Sequence, residues 1–438
     1  MRKYFGTDGV RGVVGEFPIT PDFALRLGYA AGVVLGNMGK NPAVIIGKDT
    51  RLSGYLFESS LEAGFSYAGV DVYMAGPIPT PAIAYLTTAL NLSAGVVISA
   101  SHNPYTDNGI KFFSSDGAKL PDEVELLIEK ELDKEMKVAK RLGRVKRLDD
   151  ASGRYIEFCK STFPKGVNLK DLTIVLDCAN GATYKVAPSV FMELGATVIK
   201  LSCEPNGINI NNQCGSMHPE NLTKAVKENN ADFGIAFDGD GDRVLFVDNE
   251  GTQYNGDKLL YVILQEYILK HKNIDGIVGT VMTNIAMEVA LSKLGVKLVR
   301  ARVGDRYVFE ALNTEGWVLG GEASGHILCL EQHTTGDGII SALQVVAAII
   351  QLKKSLKQIV DWEDYPQVMI NIRLNQQSSN WSEKIKSYVE EAELALGKNG
   401  RVIVRASGTE PLVRVMVEAK HQDKAFKWAN LIANKINS

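Results

Sequence analysis

Three aspartates alternate with glycines directly after an apolar stretch of the chain. Glycine lets a backbone turn freely, so the carboxylates of Asp238, Asp240 and Asp242 can all face one point. Carboxylates held that close repel one another unless a cation lies between them, and hard divalent ions such as Mg²⁺ or Ca²⁺ prefer oxygen ligands. An EF-hand is excluded, because it needs Gly where Arg243 stands and Glu where Asn249 stands. The pattern predicts a divalent-metal site with the Arg243 guanidinium beside it for phosphate; a polar turn with capping aspartates is the alternative.

A serine follows a second apolar stretch in the same way. Residues 96–98 are Val-Val-Ile, and Ser101, His102 and Pro104 lie in the polar loop after them. Open α/β sheets place their ligand chemistry at such strand ends. Ser101 is therefore a candidate nucleophile, and the alternative is a plain turn in which Ser and Asn cap backbone groups.

Two further loops offer groups that suit phosphate and sugar. A loop late in the chain combines guanidinium, hydroxyl and glycine-freed backbone N–H groups, which together can bind a phosphate, although a simple hairpin turn has the same composition. An earlier loop offers Glu322, Ser324 and His326 for sugar hydroxyls, with a structural histidine as the alternative for His326. The residues of the later loop and the strand after it are Arg405, Ser407, Gly408, Thr409 and Arg414.

These loops are positioned by a pattern that occurs three times. Each copy has an apolar strand, a helix, a strand entered through Gly, and a third strand, which is typical of βαβ units with mostly parallel sheets. The loops with Ser101, Asp238 and Glu322 follow the third strand of each copy, so we expect them to converge on one cleft. Between the first two copies, the stripe of Val124, Leu127, Ile128, Leu132 and Met136 predicts an amphipathic helix over 121–142.

The end of the chain departs from the repeat. Its pattern of strand, helix, hairpin and helix predicts a small α+β domain. The predicted fold class is therefore α/β, with three similar α/β domains of mixed, mostly parallel sheets plus a C-terminal α+β domain around a central cleft. We predict domains at 1–150, 151–254, 255–365 and 366–438, which carry the serine loop, the metal site, the sugar site and the phosphate loop respectively.

Composition narrows the class of protein. The chain has 438 residues and a formal net charge of −3, so it has no overall basic field for nucleic acid. Its five cysteines form no CxxC pair and suggest reduced thiols in the cytoplasm. We expect no signal peptide, and no membrane span because the longest apolar run, 345–350, is too short. No Walker A, GxGxxG or HExxH pattern is present, so the groups found point to phosphoryl transfer on a sugar phosphate.

The motifs taken together resemble those of the α-D-phosphohexomutase family over essentially the whole chain. The family has four domains around a central cleft, and the first three are alike. The motifs are FGTDGVRG from Phe5, ISASHNPYTDNGIKFF from Ile98, FDGDGDR from Phe237, GEASGH from Gly321 and RASGTEPLVRV from Arg405.

The resemblance implies a role for each motif. Ser101 would be phosphorylated, and its phosphate would complete a Mg²⁺ site with Asp238, Asp240 and Asp242. Glu322 and Ser324 would contact the sugar, and the loop from Arg405 to Arg414 would hold the phosphate that does not react. The positions near the transferring phosphate would be Arg11, His102 and Lys111.

The implied reaction interconverts glucosamine 6-phosphate and glucosamine 1-phosphate through a bound hexose 1,6-bisphosphate. Its product would feed UDP-N-acetylglucosamine and cell-wall precursor synthesis. Residues 303–306, Val-Gly-Asp-Arg, favour the glucosamine branch over the phosphomannomutase/phosphoglucomutase branch, whereas Ala323 departs from the family's frequent Gln or Asn. We expect the protein to bind a small sugar phosphate and to bind neither nucleic acid nor a membrane. Whether it forms a homodimer is left open.

Three other functions remain as alternatives. The same chemistry could act on glucose or mannose phosphates. A Mg²⁺-dependent sugar phosphatase would release phosphate without forming an isomer. The third alternative is a protein that binds sugar phosphates without catalysis. It would leave the pairing of Ser101 with the predicted metal site unexplained.

Overall fold

The computed structural model describes residues 2–6, 8–36, 42–271, 274–374, 381–406 and 412–436. The strands within these ranges form four sheets. No helix of the described residues is long and apolar enough to cross a membrane.

The first sheet has six strands in the order β1-β5-β4-β2-β3-β6. Its central strands are apolar and buried on both faces because helices cover the sheet on either side, the usual situation of parallel strands. Along the chain its elements are β1 (Val10–Val13), α1 (Pro21–Gly36), β2 (Ala43–Lys48), α2 (Ser53–Tyr67), β3 (Asp71–Pro77), α3 (Thr80–Ala89), β4 (Ala94–Ile98), β5 (Asp107–Ser114), α4 (Asp122–Leu132) and β6 (Val145–Arg147).

The second sheet has five strands in the order β11-β10-β9-β7-β8. The strand before the aspartate loop, β9, is buried along its whole length. The elements are α5 (Ala151–Ser161), β7 (Thr173–Asp177), α6 (Val186–Glu193), β8 (Thr197–Leu201), α7 (Glu220–Glu228), β9 (Phe233–Phe237), β10 (Val244–Asp248) and β11 (Gln253–Tyr254).

The third sheet has four strands in the order β13-β12-β14-β15. The apolar helix α11 packs against α8, and both lie in the large core that this part shares with the second sheet. The elements are α8 (Gly256–His271), β12 (Gly276–Thr280), α9 (Ile285–Lys293), β13 (Lys297–Ala301), α10 (Asp305–Glu315), β14 (Leu319–Gly321), β15 (Ile327–Cys329), α11 (Gly338–Leu352) and α12 (Leu356–Ile359).

The predicted threefold repeat is confirmed in the strand pairing. In each copy the first strand (β2, β7, β12) pairs in parallel with both the second and the third. The sequence pattern missed the edge strands β1, β6 and β11. It also missed a fourth strand that all three copies share, since β5, β10 and β15 each run antiparallel to the third strand. The loops after β4, β9 and β14 therefore connect antiparallel neighbours, and these are the loops that carry the candidate chemistry.

The second strand of each copy begins later than predicted. Gly69, Gly195 and Gly295 all have positive φ angles, and the strand starts two residues after each of them. A residue in that conformation ends the preceding helix and cannot continue a pleated strand. The glycines therefore mark the turn before the strand and not its first residues.

The helix predicted over 121–142 is wrong beyond Leu132, where α4 ends. Tyr29 on α1 uses its hydroxyl both to accept from the backbone N–H of Lys137 and to donate to its carbonyl, at 2.8 and 3.0 Å, so the chain there pairs with α1 instead of with itself. The predicted stripe also fails at Leu127, which is 46% exposed. The buried face of α4 instead includes Glu125 and Glu129, whose carboxylates bind groups from outside the helix.

The C-terminal part forms a three-stranded antiparallel sheet in the order β16-β18-β17, packed under two helices. This is the predicted small α+β domain, and a short 3₁₀ turn at Gly397–Asn399 precedes its hairpin. The elements are β16 (Gln367–Arg373), α13 (Trp381–Leu396), β17 (Gly400–Ala406), β18 (Leu412–Ala419) and α14 (Gln422–Ile436).

Candidate active site

The three aspartates after β9 form the acidic centre of the site. One carboxylate oxygen from each of Asp238, Asp240 and Asp242 lies within 4.8 Å of the others, and all three residues are buried. The backbone N–H groups of Gly241 and Arg243 donate to Asp238 Oδ1 at 3.1 and 3.2 Å, which fixes the loop that presents the cluster.

The charges of this cluster fit a divalent cation. Burial and the neighbouring Asp242 and Asp240 carboxylates raise the pKa of Asp238 well above its usual range. Asp240 Oδ1 and Asp242 Oδ1 are buried and have no hydrogen-bond partner among the described residues. Three buried carboxylates, two of them with an unpartnered oxygen, are the hard oxygen donors that Mg²⁺ and Ca²⁺ prefer, so the cluster can hold such an ion.

Ser101 lies directly against the aspartate cluster. Its Oγ donates to Asp238 Oδ2 at 2.6 Å and lies 3.4 Å from His102 Nδ1, and the residue is 1% exposed. A Cβ on Gly239 would come within 2.5 Å of the Ser101 carbonyl oxygen, so only glycine lets the two loops meet. The structure thus brings the candidate nucleophile from the first sheet to the candidate metal ligands of the second.

The backbone of Ser101 is strained. Its φ angle is +52°, in the left-handed region that residues other than Gly, Asn and Asp seldom occupy. Its backbone N–H donates to Ser99 Oγ at 2.9 Å, and the Ser99 hydroxyl donates to Asp49 Oδ2 at 2.6 Å. Strained residues of this kind cluster at functional sites, where the surrounding structure holds them in place.

Lys111 and Arg11 bring positive charge to the cluster from the paired strands β5 and β1. Lys111 Nζ lies 2.9 Å from Asp240 Oδ2, 3.1 Å from Asp8 Oδ2 and 3.9 Å from Asp242 Oδ2. Although burial disfavours its charge, the Asp240 and Asp8 carboxylates raise the pKa of Lys111 above its usual value. Arg11 forms an ion pair with Asp8, so Lys111 and Arg11 share one carboxylate.

His102 and Arg243 complete the predicted residues of the central cluster. Burial and the nearby Arg243 charge lower the pKa of His102 to about 4, so its ring is neutral at physiological pH. Arg243 is partly buried, and its closest described acidic contact is Nε at 3.9 Å from Asp242 Oδ1. Its guanidinium is therefore not committed to a tight ion pair.

The loop after β14 closes the site from the third sheet. Glu322 Oε1 accepts from the Gly304 backbone N–H at 2.8 Å, and Ser324, which is exposed, has its Oγ 3.5 Å from Glu322 Oε2. Gly325 presses against the Val244 carbonyl so closely that a Cβ there would lie 2.1 Å from the oxygen. Glu322 and Ser324 thus lie on a loop packed directly on β10, the strand that follows the aspartate loop.

His326 links the aspartate cluster to the third sheet. Its Nδ1 lies 3.6 Å from Asp242 Oδ2, and its Nε2 lies 3.6 Å from Asp305 Oδ2. Although burial disfavours the charged ring, Asp242 raises the pKa of His326 to about 9. Of its two predicted roles, this geometry favours the structural one, because both ring nitrogens face carboxylates.

The phosphate-binding residues predicted late in the chain lie on a different sheet. Arg405 on β17 stands directly opposite Arg414 on β18 in the antiparallel register, and Arg414 Nε has no hydrogen-bond partner among the described residues. Like charges placed opposite each other destabilise a strand pair, and an anion between them would reverse that effect. Ser407, Gly408 and Thr409 lie outside the described residues.

Four polar residues at the site were missed from the sequence. Thr80 Oγ1 donates to Asp240 Oδ2 at 2.6 Å, and Lys119 bridges Asp8 and Asp305, at 2.6 Å from the latter. Asp8 lies within the quoted motif FGTDGVRG, which is a signal that could have identified it. Asp305 lies within the stretch 303–306, which indicated only a branch of the family. Thr80 and Lys119 lie in no such pattern, and only the meeting of separate sheets reveals them.

Comparison with protein families matches four successive parts of the chain to four domain families. Residues 2–139, 153–251 and 255–365 match alpha/beta/alpha domains I, II and III of phosphoglucomutase/phosphomannomutase, and residues 369–435 match its C-terminal domain. Each match covers most of the strands of one sheet, with the edge strands β6 and β11 lying just beyond the matched ranges.

Known proteins give the same result over the full length. The chain is 59% identical over 440 residues to a phosphoglucosamine mutase of Neisseria subflava and 57% identical over 446 residues to one of Paraburkholderia phymatum, with at least 98% of each chain covered. Its fold matches a phosphoglucomutase/phosphomannomutase family protein of Burkholderia thailandensis (TM-score 0.82, 24% identity, 99% and 98% covered). It also matches an Aspergillus fumigatus N-acetylphosphoglucosamine mutase solved with GlcNAc-6P and magnesium (TM-score 0.68, 17% identity, 100% and 96% covered). With all four domains present and relatives this similar, the chain belongs to the α-D-phosphohexomutase family and is an isomerase.

Proposed function

We propose that this isomerase is a phosphoglucosamine mutase that interconverts glucosamine 6-phosphate and glucosamine 1-phosphate. The observation that carries the proposal is the contact between Ser101 Oγ and Asp238 at 2.6 Å, because it pairs a hydroxyl nucleophile with a divalent-metal site. The choice of amino sugar is supported by the relatives of 57–59% identity, which are named phosphoglucosamine mutase.

In the proposed reaction, phospho-Ser101 gives its phosphoryl group to O1 of glucosamine 6-phosphate. The P–O bond to Ser101 Oγ breaks as a bond to the sugar O1 forms. The O1 hydroxyl gives up its proton and Ser101 Oγ takes one up, which leaves a bound hexose 1,6-bisphosphate beside a free serine hydroxyl. The bisphosphate then turns round, and its C6 phosphate returns to Ser101. A Mg²⁺ ion held by the three aspartates would neutralise charge on the transferring group, where most catalysis of phosphoryl transfer lies.

The residues around Ser101 divide this work by their charge. Lys111 Nζ lies among the Asp240, Asp8 and Asp242 carboxylates, so we assign it, with Arg11, the role of fixed positive charge at the centre of the site. His102 is neutral, and its Nδ1 lies 3.4 Å from Ser101 Oγ, so it can exchange the proton of that oxygen. Arg243 is placed to contact phosphate beside the metal ligands.

The rest of the substrate would contact two separate loops. We assign the sugar hydroxyls to Glu322 and Ser324 on the loop after β14. We assign the phosphate that does not react to the opposed guanidinium groups of Arg405 and Arg414, together with Ser407, Gly408 and Thr409 between them in the sequence. The same groups must serve both orientations of the bisphosphate, because the sugar turns round in mid-cycle.

Intact-protein mass spectrometry and a three-substrate assay test the proposal. We expect a phosphorylated form of the wild type that is absent from Ser101→Ala, and faster turnover of glucosamine phosphate than of glucose or mannose phosphates. Faster turnover of either hexose phosphate would assign the chain to another branch of the family. Release of inorganic phosphate without isomer formation would make it a phosphatase instead.

Two further proposals concern the setting of the enzyme. We place it in the cytoplasm, which is supported by the free thiols of Cys159, Cys178, Cys203, Cys214 and Cys329. Formation of a homodimer stays a prediction, and sedimentation equilibrium would test it by measuring the molecular mass in solution.

A further inference from the structure

The backbone of the Ser101 loop is held from two sides by groups that do not touch the candidate metal ligands. Arg51 Nη2 donates to the carbonyl oxygens of Ser101 and Asn103 at 3.2 and 2.6 Å. Asn211 Nδ2 donates to the same two carbonyl oxygens at 2.9 and 3.0 Å. Each carbonyl therefore accepts one hydrogen bond from the first domain and one from the second.

Both donors are themselves fixed. Arg51 is 0% exposed and forms an ion pair with Asp49, the carboxylate that also accepts from Ser99. Asn211 has a φ angle of +57°, and its backbone N–H donates to the Ala179 carbonyl at 2.9 Å, so its side chain is held in one direction. Asn is one of the few residues that accept this conformation without great cost.

These contacts surround the one residue whose orientation matters most. The φ angle of Ser101 is +52°, which a serine seldom adopts, and in this backbone conformation its Oγ faces Asp238. The Ser101 backbone N–H donates to Ser99 Oγ, and the Ser101 carbonyl oxygen accepts from Arg51 and Asn211. The peptide groups on both sides of Ser101 are thus fixed in place.

We propose that Arg51 and Asn211 form a clamp that positions the phosphoryl-carrying oxygen of Ser101 for in-line transfer. The two are positioning residues, because neither reaches the reacting atoms. The expected effect of the clamp on kcat rests on the proposed mutase function. Its expected effect on the mobility of the Ser101 loop does not depend on that function. Since Asn211 belongs to the second domain, the clamp also aligns the serine loop with the aspartate loop of that domain.

A simpler explanation is that these bonds only hold the two domains together. Thr50 offers the matched control, because its Oγ1 donates across the same boundary to the Asn180 carbonyl at 2.5 Å without touching Ser101. Thr50→Val removes that interdomain bond and keeps the shape of the side chain. Asn211→Gly removes the amide and accepts the positive φ angle, so it creates no backbone strain.

Steady-state kinetics on the full-length phosphorylated enzyme separates the two explanations. For Asn211→Gly we expect kcat to fall about tenfold or more with KM unchanged within about twofold, because misplacing a reacting atom slows transfer without weakening substrate binding. Asn211→Asp should show the same loss, since its carboxylate keeps the shape but cannot donate to the carbonyls. Thr50→Val should behave as the wild type does.

Hydrogen exchange of the peptide covering residues 99–106, measured by mass spectrometry without substrate, gives an independent readout. We expect faster exchange in both Asn211 variants and unchanged exchange in Thr50→Val. Unchanged kcat in the Asn211 variants, a rise in KM alone, or an equal loss in Thr50→Val would overturn the clamp. If the wild type does not isomerise glucosamine phosphate, the proposed function fails, and the exchange data alone then decide whether the clamp exists.

Discussion

Replacing Asp238 with Asn should stabilise the metal-free protein, although it removes a candidate metal ligand. Asn has the same shape, its oxygen can still accept from Gly241 and Arg243, and its amide can donate to Ser101 Oγ. What it removes is one of three crowded negative charges. In the metal-free protein the wild-type cluster therefore has a charge conflict that Asp238→Asn relieves.

The size of the effect follows from the distances. Two unit charges 4.8 Å apart repel by about 3.5 kcal/mol at an effective dielectric constant of ~20. Lys111 and Arg243 offset part of this repulsion, so we expect a gain of about 1–3 kcal/mol, or roughly 4 °C and more in the unfolding of a domain of this size. Mg²⁺ at about one hundred times its Kd would stabilise the wild type by about 2.7 kcal/mol and the variant by much less.

Thermal unfolding in EDTA and in excess Mg²⁺ therefore separates the two proteins. Asp238→Asn should unfold at the higher temperature in EDTA, and Mg²⁺ should raise the unfolding temperature of the wild type by much more than that of the variant. Asp232→Asn is the matched control, because Asp232 is exposed and accepts from the Thr173 backbone N–H at 2.8 Å, well away from the cluster in the same sheet. A variant less stable than the wild type in EDTA, or an equal Mg²⁺ response in both, would refute the reasoning.

The same experiment has a definite pH dependence. Because the pKa of Asp238 is raised in the folded protein, the folded state binds its proton more tightly than the unfolded chain does. The stability of the metal-free wild type therefore falls as pH rises above the ordinary carboxyl range. The advantage of Asp238→Asn should be absent near pH 4 and grow toward neutral pH.

Three further substitutions test other parts of the site. Ser101→Ala should abolish isomerisation in a coupled assay while circular dichroism shows the wild-type fold, although the melting temperature should fall because Asp238 Oδ2 loses its buried donor. Arg405→Ala and Arg414→Ala should each lower kcat/KM about 10–100-fold, the cost of one charge-assisted hydrogen bond, without speeding the hydrolysis of phospho-Ser101. Lys111→Met should lower kcat and also melt at a lower temperature in EDTA, because Asp240 and Asp8 lose their shared cation; a normal kcat would contradict its assignment as fixed charge.

The parts of the site that could be predicted from the sequence are those with a local signal. The alternation of Asp238, Asp240 and Asp242 with glycine is visible in five residues, and the structure brings one oxygen of each carboxylate within 4.8 Å of the others. Ser101 was found because an apolar strand ends just before it. In both cases neighbouring residues in the chain form the feature, so no knowledge of the fold is needed.

The parts that could not be predicted depend on contacts between distant segments. Asn211 meets Ser101 across 110 positions of the chain, and Thr80 meets Asp240 across 160. Nothing in the neighbours of Asn211 or Thr80 indicates such a partner. Their roles follow only from how the first two sheets meet.

The error in α4 has the same origin. The stripe of apolar residues predicted that Leu127 would pack inward, yet Glu125 and Glu129 are the more buried side chains. Glu129 accepts from the backbone N–H groups of Lys3, Tyr4 and Phe5, and Glu125 pairs with Arg306. Helical periodicity assumes that burial follows hydrophobicity, and that assumption fails where buried carboxylates bind partners from other parts of the chain.

The charges at the centre of the site imply that cation and phosphate stabilise each other there. Without a cation, three carboxylates would repel an incoming phosphate dianion, and Lys111 is already shared between Asp240 and Asp8. A divalent ion would reverse the sign of that interaction, and a phosphate on Ser101 would in turn offer the ion a further oxygen ligand. Because such coupling is reciprocal, phosphorylation of Ser101 would tighten metal binding by the same factor by which the metal would favour the phosphoserine. The short contact between Ser101 and Asp238 is thus the point at which the candidate nucleophile meets the candidate metal ligands.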